Sequence, residues 1–201
     1  MYKIIRIIID TQEVEVTIRQ AKPGDEIGLH ELNQRWTKEF IGHDKSRGFL
    51  TSLYTCNEFR QIIDMREIVV AEVENKIIIG WCLVNNCIEN RVLNFSREKV
   101  ILFKNDSLIP MTSKVALALQ WCVDGDYQGK GIIKYLFNGF CNLLDGRYDL
   151  VEASVLKQNP AGNKATQSLG MQTIFEDDER YYRITYIKNT THIPPSLQNI
   201  N

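Results

Sequence analysis

The stretch from Lys114 to Gly146 constrains the fold more than any other part of the chain, because it predicts a strand, a glycine-bearing turn and a helix in direct succession. Its first part, KVALALQWCV, is mostly apolar on both alternating faces, as in an interior strand covered on two sides. Its last part has apolar residues at helical spacing, and Gly146 follows as a stop signal. The segment predicts one strand–turn–helix unit at the centre of a sheet. The apolar stripe of its helix comprises Ile132, Ile133, Leu136, Phe137, Phe140, Leu143 and Leu144.

The turn of this unit, Gln128-Gly129-Lys130-Gly131, predicts an anion site. Main-chain N–H groups at a helix start have no partner within the helix and point towards a ligand. The turn does not match three other ligand-binding loops. A P-loop would need Gly in place of Asp124 and Ser or Thr in place of Gly131. A dinucleotide-binding GxGxxG would need Gly in place of Lys134, and an EF-hand would need Glu in place of Tyr135.

Composition narrows the class of partner. The chain has 201 residues, 44% of them hydrophobic, which is enough for one domain with a real core. The 24 basic and 25 acidic residues give a net charge of −1, which argues against a nucleic-acid partner. No apolar run reaches membrane-spanning length, and no histidine spacing indicates a metal site. The scattered cysteines indicate reduced thiols and a cytoplasmic protein: Cys56, Cys82, Cys87, Cys122 and Cys141.

The order of elements predicts an α/β fold, with a mixed sheet and helices on both faces. A first helix is predicted to open with Pro23 at its first position, and Thr55 to Glu58 spell a capping box for a second. The buried stripe of the first helix is predicted to be Ile27, Leu29, Leu32, Trp36 and Phe40. The region from Arg91 to Thr112 is interpreted as one or two irregular strands, with Lys99–Lys104 as one candidate. The other predicted strands are 2–9, 14–19, 68–72, 76–85, 149–155, 171–175 and 181–187, and a short helix is predicted at 160–169.

Residues 123–131, VDGDYQGKG, resemble the acetyl-coenzyme A signature Q/R-x-x-G-x-G/A of the GNAT acyltransferase superfamily. Asn159 and Gly170, which enclose the next predicted helix, resemble the superfamily's Asn…Gly-Phe segment. The element order matches over residues 13–188. The resemblance implies a single-domain acyl-CoA N-acyltransferase fold with a mixed, mostly antiparallel sheet. Residues 1–12 would add an extra N-terminal strand, and residues 189–201 a loose tail.

The resemblance also implies an activity. The chain would transfer an acetyl group from acetyl-CoA to a primary amine of a small molecule or peptide, by direct attack in a ternary complex and without a metal. A homodimer is one assembly that the chain could form. Main-chain N–H groups near Cys122 and Val123 would polarise the acyl carbonyl, because the superfamily opens its sheet at this strand. The remaining cofactor-binding residues would be Gln128, Gly129, Lys130, Gly131, Ile132, Ile133 and Asn159.

The attacking amine must lose a proton, since an ammonium is mostly unreactive at neutral pH. A carboxylate acting through water can accept it, and Asp124, Asp126 and Glu152 are the candidates. Asp124 and Asp126 have an equally simple role in forming the turn. Thr166 stands where many members carry the tyrosine that protonates the thiolate, so Tyr127 is the candidate acid, with Tyr135, Tyr181 or water as alternatives.

The acceptor pocket is predicted between the first two helices and the central strands, lined by Phe40, His43, Arg47, Tyr54 and Trp121. Phe40 and Trp121 would equally suit the core, and His43 and Arg47 a solvated loop. Ile133 departs from the usual Gly or Ala, and it either faces the sheet or crowds the diphosphate. The departures at Ile133 and Thr166 favour the alternative of a non-catalytic GNAT-fold module that binds coenzyme A or a protein.

Overall fold

The computed structural model describes residues 2–41, 45–84, 88–89 and 91–187. Predictions that concern His43, Cys87 and the tail 189–201 lie outside these residues. Within them, every helix is too short or too polar to cross a bilayer. The elements are β1 Tyr2–Ile9, β2 Gln12–Gln20, α1 Glu26–Trp36, α2 Cys56–Asp64, β3 Ile68–Val73, β4 Ile77–Leu83, α3 Arg91–Asn105, β5 Val115–Leu117, β6 Gln120–Val123, α4 Ile132–Leu144, β7 Leu150–Leu156, α5 Pro160–Ser168, β8 Gln172–Glu176 and β9 Arg180–Tyr186.

The strands form two sheets that carry helices on both faces. One sheet has the order β1-β2-β3-β4-β6 and is antiparallel throughout, and the other has the order β5-β7-β9-β8 with one parallel pair, β5 with β7. Helix α4 packs its apolar stripe on one face, against Val69, Ala71 and Val151, while α1 and α2 pack on the other, against Val70 and Trp81. The predicted fold, a mixed and mostly antiparallel sheet between helices, is confirmed.

The region predicted as irregular strands is a helix. Residues Arg91–Asn105 form α3, and the prediction of a strand at Lys99–Lys104 is wrong. The run Val100 to Phe103 is apolar, as in a strand, but only part of it is buried: Phe103 is in the core, whereas Ile101 is 59% exposed. Leu93, Ser96 and Phe103 are buried at helical spacing, so one side of α3 covers the second sheet.

The first helix begins later than predicted and buries fewer residues. It starts at Glu26 with Asp25 at the N-cap, because Gly24 has φ +101° and a helix cannot continue through that conformation. Leu29 and Leu32 are buried as predicted. Ile27 and Phe40 are 59% and 60% exposed, so their assignment to the buried stripe is wrong; Phe40 lies beyond the helix end at Trp36.

The predicted capping box at the start of α2 is confirmed. The Thr55 hydroxyl accepts the N–H of Glu58 at 3.2 Å, and the Glu58 carboxylate accepts the N–H of Thr55 at 2.7 Å. We expect Thr55→Ala to lower the free energy of unfolding by about 1 kcal/mol, as loss of an N-cap generally does. Urea denaturation measures this loss, with Thr112→Ala, an exposed turn residue, as the control. Equal midpoints for the two variants would contradict the assignment.

Candidate active site

The predicted central strand is divided, and the division opens a gap between β6 and β7. Its first part, β5, pairs with β7, and the last bond of that pairing is donated by the Ala118 N–H to the Glu152 carbonyl at 2.9 Å. After Leu119 the chain joins the other sheet, where β6 pairs with β4 alone among the described strands. The side of β6 that faces β7 therefore has no strand partner there, and an extended ligand can pair with it.

Alternation along β6 decides which main-chain groups face this gap. The Asp124 N–H donates to the Ile79 carbonyl at 2.7 Å, so the main-chain groups of Asp124 and Cys122 point towards β4. Those of Trp121 and Val123 point the other way, into the gap. The Val123 carbonyl accepts the Gln128 side chain at 2.9 Å. Of the two N–H groups predicted to polarise a carbonyl, that of Val123 faces the gap and that of Cys122 faces β4.

The turn after β6 is open to a ligand at the start of α4. Gly129 and Gly131 have φ of +76° and +79°, and a Cβ built at either glycine would have no atom of the described residues within 4 Å. Gly131 is the N-cap of α4 and offers no side chain to its N–H groups. The turn thus presents unfilled space beside helix N–H donors, which is the geometry that suits a diphosphate. Lys130 and Lys134 are both exposed at this end of α4.

The two isoleucines that begin α4 do not fill that space. Ile132 is buried, and Ile133 packs against the core cluster that includes Leu136 and Phe140. The side chain of Ile133 therefore faces the sheet, which was one of the two alternatives predicted for it. An anion at the start of α4 would therefore contact the main chain of Ile133 and not its side chain.

Asp124 is held by three donors. Its carboxylate forms an ion pair with Arg35 at 3.1 Å, accepts the indole N–H of Trp36 at 3.1 Å, and caps its own turn through the N–H of Gly125 at 2.8 Å. These contacts join the end of α1 to the end of β6. Asp126, the third carboxylate considered, is exposed.

Glu152 is a buried carboxyl group on the other side of the gap. It is 1% exposed, and within the described part of the chain neither oxygen has a hydrogen-bond partner. Burial raises the pKa of Glu152 to about 8, against a smaller opposing effect of the nearby Arg180 guanidinium. Its neighbour Val151 packs towards α4, so Glu152 points to the opposite face, where α1, α2 and α3 lie.

Tyr127 lies in the short 3₁₀ turn between these groups, half-buried against the core beneath α4. Burial raises the pKa of its hydroxyl, and the charges of Asp124 and Asp126 raise it further. The Cys122 thiol is buried, which raises its pKa well above the ordinary value, so it stays protonated and is no nucleophile.

The predicted acceptor residues lie apart from one another. Trp121 packs against Phe137 of α4 in a tilted arrangement, at 5.1 Å between ring centroids, and Tyr54 is 1% exposed in the core beneath α1 and α2. Phe40 is exposed. Arg47 lies nearest the turn, because its guanidinium donates to the Gly125 carbonyl and sits 5.9 Å above the Trp36 ring.

Asn159, the last of the predicted cofactor-binding residues, is the N-cap of α5. Its side-chain oxygen accepts the N–H of Gly162 at 2.9 Å, and its side-chain nitrogen donates to the Phe49 carbonyl at 3.1 Å. Asn159 follows β7 as Gln128 follows β6, so the two side chains flank the same end of the gap.

Solved structures that are similar to this chain include several acetyltransferases. A GNAT-family acetyltransferase from Listeria monocytogenes has a TM-score of 0.58 and 16% identity, over 90% of this chain and 99% of that chain. YncA of Salmonella typhimurium, a putative acetyltransferase solved with its cofactor acetyl-CoA, has a TM-score of 0.58 and 12% identity, over 88% and 96%. A putative arylalkylamine N-acetyltransferase 7 from the mosquito Aedes aegypti has a TM-score of 0.60 and 14% identity, over 93% and 96%. This chain has the GNAT fold. No protein-family model and no curated protein matches the sequence.

Within the GNAT fold, Thr166 has a structural role. It is 2% exposed, its hydroxyl lies 3.1 Å from the main-chain oxygens of Gly162 and Asn163, and it accepts a hydrogen bond from Arg183. These contacts secure α5 to β9. The hydroxyl is thus engaged away from the gap, so any proton donor must be another group.

Two site residues of this GNAT fold were not anticipated from the sequence. Arg35 and Trp36 end α1 and reach Asp124, 89 and 88 positions later in the chain. Arg35 looked like an ordinary basic residue in the last turn of a helix, and Trp36 like a core residue. Only the packing of α1 beside β6 brings them to the turn, and no local signal indicates that contact.

Proposed function

We propose that this chain is an N-acetyltransferase that transfers an acetyl group from acetyl-CoA to a primary amine of a small molecule or peptide. The observation that carries the proposal is the unpaired side of β6, which leads directly into an open helix start. A thioester cofactor needs both features, a strand edge for its amide-bearing arm and N–H donors for its diphosphate. Both are adjacent here, and no side chain of the described residues fills the space above Gly129 and Gly131. The GNAT fold supports the same conclusion.

The residues divide by role. The main chain of residues 129–133, together with Lys130, would hold the diphosphate. Val123 would donate its N–H to the acyl carbonyl oxygen, where negative charge develops during attack. Asn159 would hold the arm on the β7 side. The thioester supplies an activated acetyl group, and the protein's contribution is largely to hold two substrates together, which can be worth an effective concentration of about 10⁵–10⁸ M.

Among the three carboxylates predicted as candidates for proton acceptance, Asp124, Asp126 and Glu152, we favour Glu152. A general base works best with a pKa near the working pH, and burial brings the pKa of Glu152 to about 8, so the ionised fraction that can accept a proton grows as the pH rises towards 8. Asp124 already accepts three hydrogen bonds or ion pairs, so we assign it to positioning the turn. Because Glu152 is fully buried, proton transfer from the amine would pass through water.

The acceptor is assigned only by class. A primary amine of a small molecule or peptide agrees with the nearly neutral chain, and the mosquito neighbour is named for an arylalkylamine. The exposed Arg47 and Phe40 are the predicted acceptor residues that a substrate can reach directly. Tyr54 and Trp121 would support the walls of the acceptor pocket without contacting the substrate directly.

Two measurements test the proposal in sequence. Isothermal titration with acetyl-CoA should show one binding site per chain, and thiol release with a panel of primary amines should then show turnover. Binding without turnover for any amine would support the non-catalytic alternative. Absence of binding would overturn the cofactor assignment altogether.

Tyr127 is the proposed proton donor to the departing thiolate. We expect Tyr127→Phe to lower kcat about tenfold, because water can partly replace the hydroxyl, and to leave the Kd for coenzyme A unchanged. Steady-state kinetics measures the change in kcat. Tyr135→Phe is the control, since that ring lies on α4 against Lys3, 4.7 Å from the lysine nitrogen. A fall in kcat for Tyr135→Phe alone would reverse the assignment.

A further inference from the structure

A short segment after α1, residues 45–50, lies across the carboxyl end of the gap; we call it the strap. The Arg47 carbonyl accepts the side chain of Gln128 at 3.3 Å, on the β6 side. The Phe49 carbonyl accepts the side chain of Asn159 at 3.1 Å, on the β7 side. The strap thus joins the two elements that border the gap, and it does so through its main chain.

Further contacts hold the strap closed. At one end the Arg47 guanidinium donates to the Gly125 carbonyl. At the other, the Leu50 N–H donates to the Trp36 carbonyl at 2.8 Å, and the Leu50 carbonyl accepts the Lys38 N–H at 3.1 Å. Phe49 is only 6% exposed, yet it belongs to none of the three core clusters. Its ring is therefore buried locally, where the strap crosses.

The strap uses the hydrogen bonds that a cofactor arm would use. The side-chain nitrogen of Gln128 gives its two hydrogens to Val123 and Arg47, and that of Asn159 gives one to Phe49. The acceptors in the strap are peptide carbonyls, chemically the same as the amide carbonyls of a pantetheine arm. A pantetheine arm that bonded to Gln128 and Asn159 in this way would have to displace the strap.

We propose that the strap is a self-inhibitory element that occupies the cofactor cleft in the free protein and is released when coenzyme A binds. This inference rests on the proposed function. If coenzyme A binds only the molecules whose strap is open, the apparent Kd equals the intrinsic Kd divided by the open fraction. A mostly closed strap therefore weakens the apparent binding. A change that loosens the strap and leaves the diphosphate-binding turn at residues 129–133 untouched should therefore tighten binding.

Gly48 allows such a change. It has φ +88°, and a Cβ added there would lie 3.0 Å from the Cβ of Ala161 and 3.2 Å from the side-chain oxygen of Asn159. Gly48→Ala should push the strap away from α5. Gly24→Ala is the matched control, because Gly24 has a similar φ of +101° and no described residue has an atom within 4 Å of its added Cβ.

Isothermal titration with coenzyme A measures the effect. We expect Gly48→Ala to bind about 5–10-fold more tightly than the unmodified chain, and Gly24→Ala to bind equally. Equal or weaker binding by Gly48→Ala would overturn the strap inference and leave the proposed function intact. No binding by any of the three proteins would overturn both.

Limited trypsin digestion of the unmodified chain is a second measurement that needs no variant. Lys45 and Arg47 are cleavage sites within the strap. Saturating coenzyme A should accelerate cleavage at these two sites, because it releases the strap. With binding demonstrated by titration, unchanged cleavage would show that the strap does not move, and slower cleavage would show that it closes over the cofactor; either result would contradict the inference.

Discussion

Replacing Gly131 with aspartate should weaken coenzyme A binding more than about 100-fold, because it places a negative charge where the diphosphate would lie. Gly131 is the N-cap of α4, and in the part of the chain that the structure describes no atom lies within 4 Å of its added Cβ, so the new side chain fits. Aspartate is a favoured N-cap residue and tolerates positive φ better than most side chains. The protein should therefore stay folded while it loses the ligand.

Gly131→Asn is the matched control, since asparagine has the same shape as aspartate without the charge. We expect its Kd for coenzyme A to rise far less than that of Gly131→Asp. Titration calorimetry gives both values, and thermal unfolding verifies that the two variants fold equally. If both variants bind equally well, no anion rests at this helix start.

The second large effect concerns the dependence of stability on pH. Burial raises the pKa of Glu152 to about 8 in the folded chain, whereas an exposed glutamate titrates near its ordinary 4.5. The folded state thus keeps a proton that the unfolded state loses, so its stability falls as the pH rises from about 4.5 to about 8 and is level on either side. Each unit of pKa difference is worth about 1.4 kcal/mol.

Glu152→Gln should remove this dependence, because glutamine carries no titrating proton. Between pH 5 and pH 9 the unmodified chain should lose roughly 3–5 kcal/mol more free energy of unfolding than the variant does. Urea denaturation at several pH values measures the two curves. Glu31→Gln, at an exposed position on α1, should follow the unmodified chain. Parallel curves for Glu152→Gln and the unmodified chain would mean that Glu152 titrates normally.

Local sequence signals predicted the conformation of the turn before α4 correctly. Gly129 and Gly131 both adopt the left-handed conformation, and α4 begins directly after them. Asn159 caps α5, and Gly170 follows that helix with φ +74°. In each case the residue type and the element lie within a few positions of one another, so the physics that links them is local.

The errors arose where tertiary packing overrides a local pattern. The run Val100 to Phe103 resembles a strand because it is continuously apolar. It lies in helix α3, where Phe103 packs into the core and Ile101 faces solvent. The apolar pattern from Val115 to Val123 gives no sign that the chain changes sheets near Ala118. That change depends on β4 and β7 as alternative partners, which lie far away in the sequence.

The strap was unpredictable for the same reason. Its hydrogen bonds join residues 81 positions apart, Arg47 with Gln128, and 110 positions apart, Phe49 with Asn159. They involve main-chain carbonyls, which every residue possesses, so no residue type in this segment marks the contact. The prediction that Arg47 lines the acceptor pocket rested on its place after the first helix, and that prediction gave no hint of its bond to Gly125.

A crystal structure of the chain with coenzyme A tests the central claim most directly. The account predicts the pantetheine arm between β6 and β7, and diphosphate oxygens within hydrogen-bond distance of the main-chain nitrogens of residues 129–133. Coenzyme A bound elsewhere on the protein, with the gap between β6 and β7 empty, would contradict it.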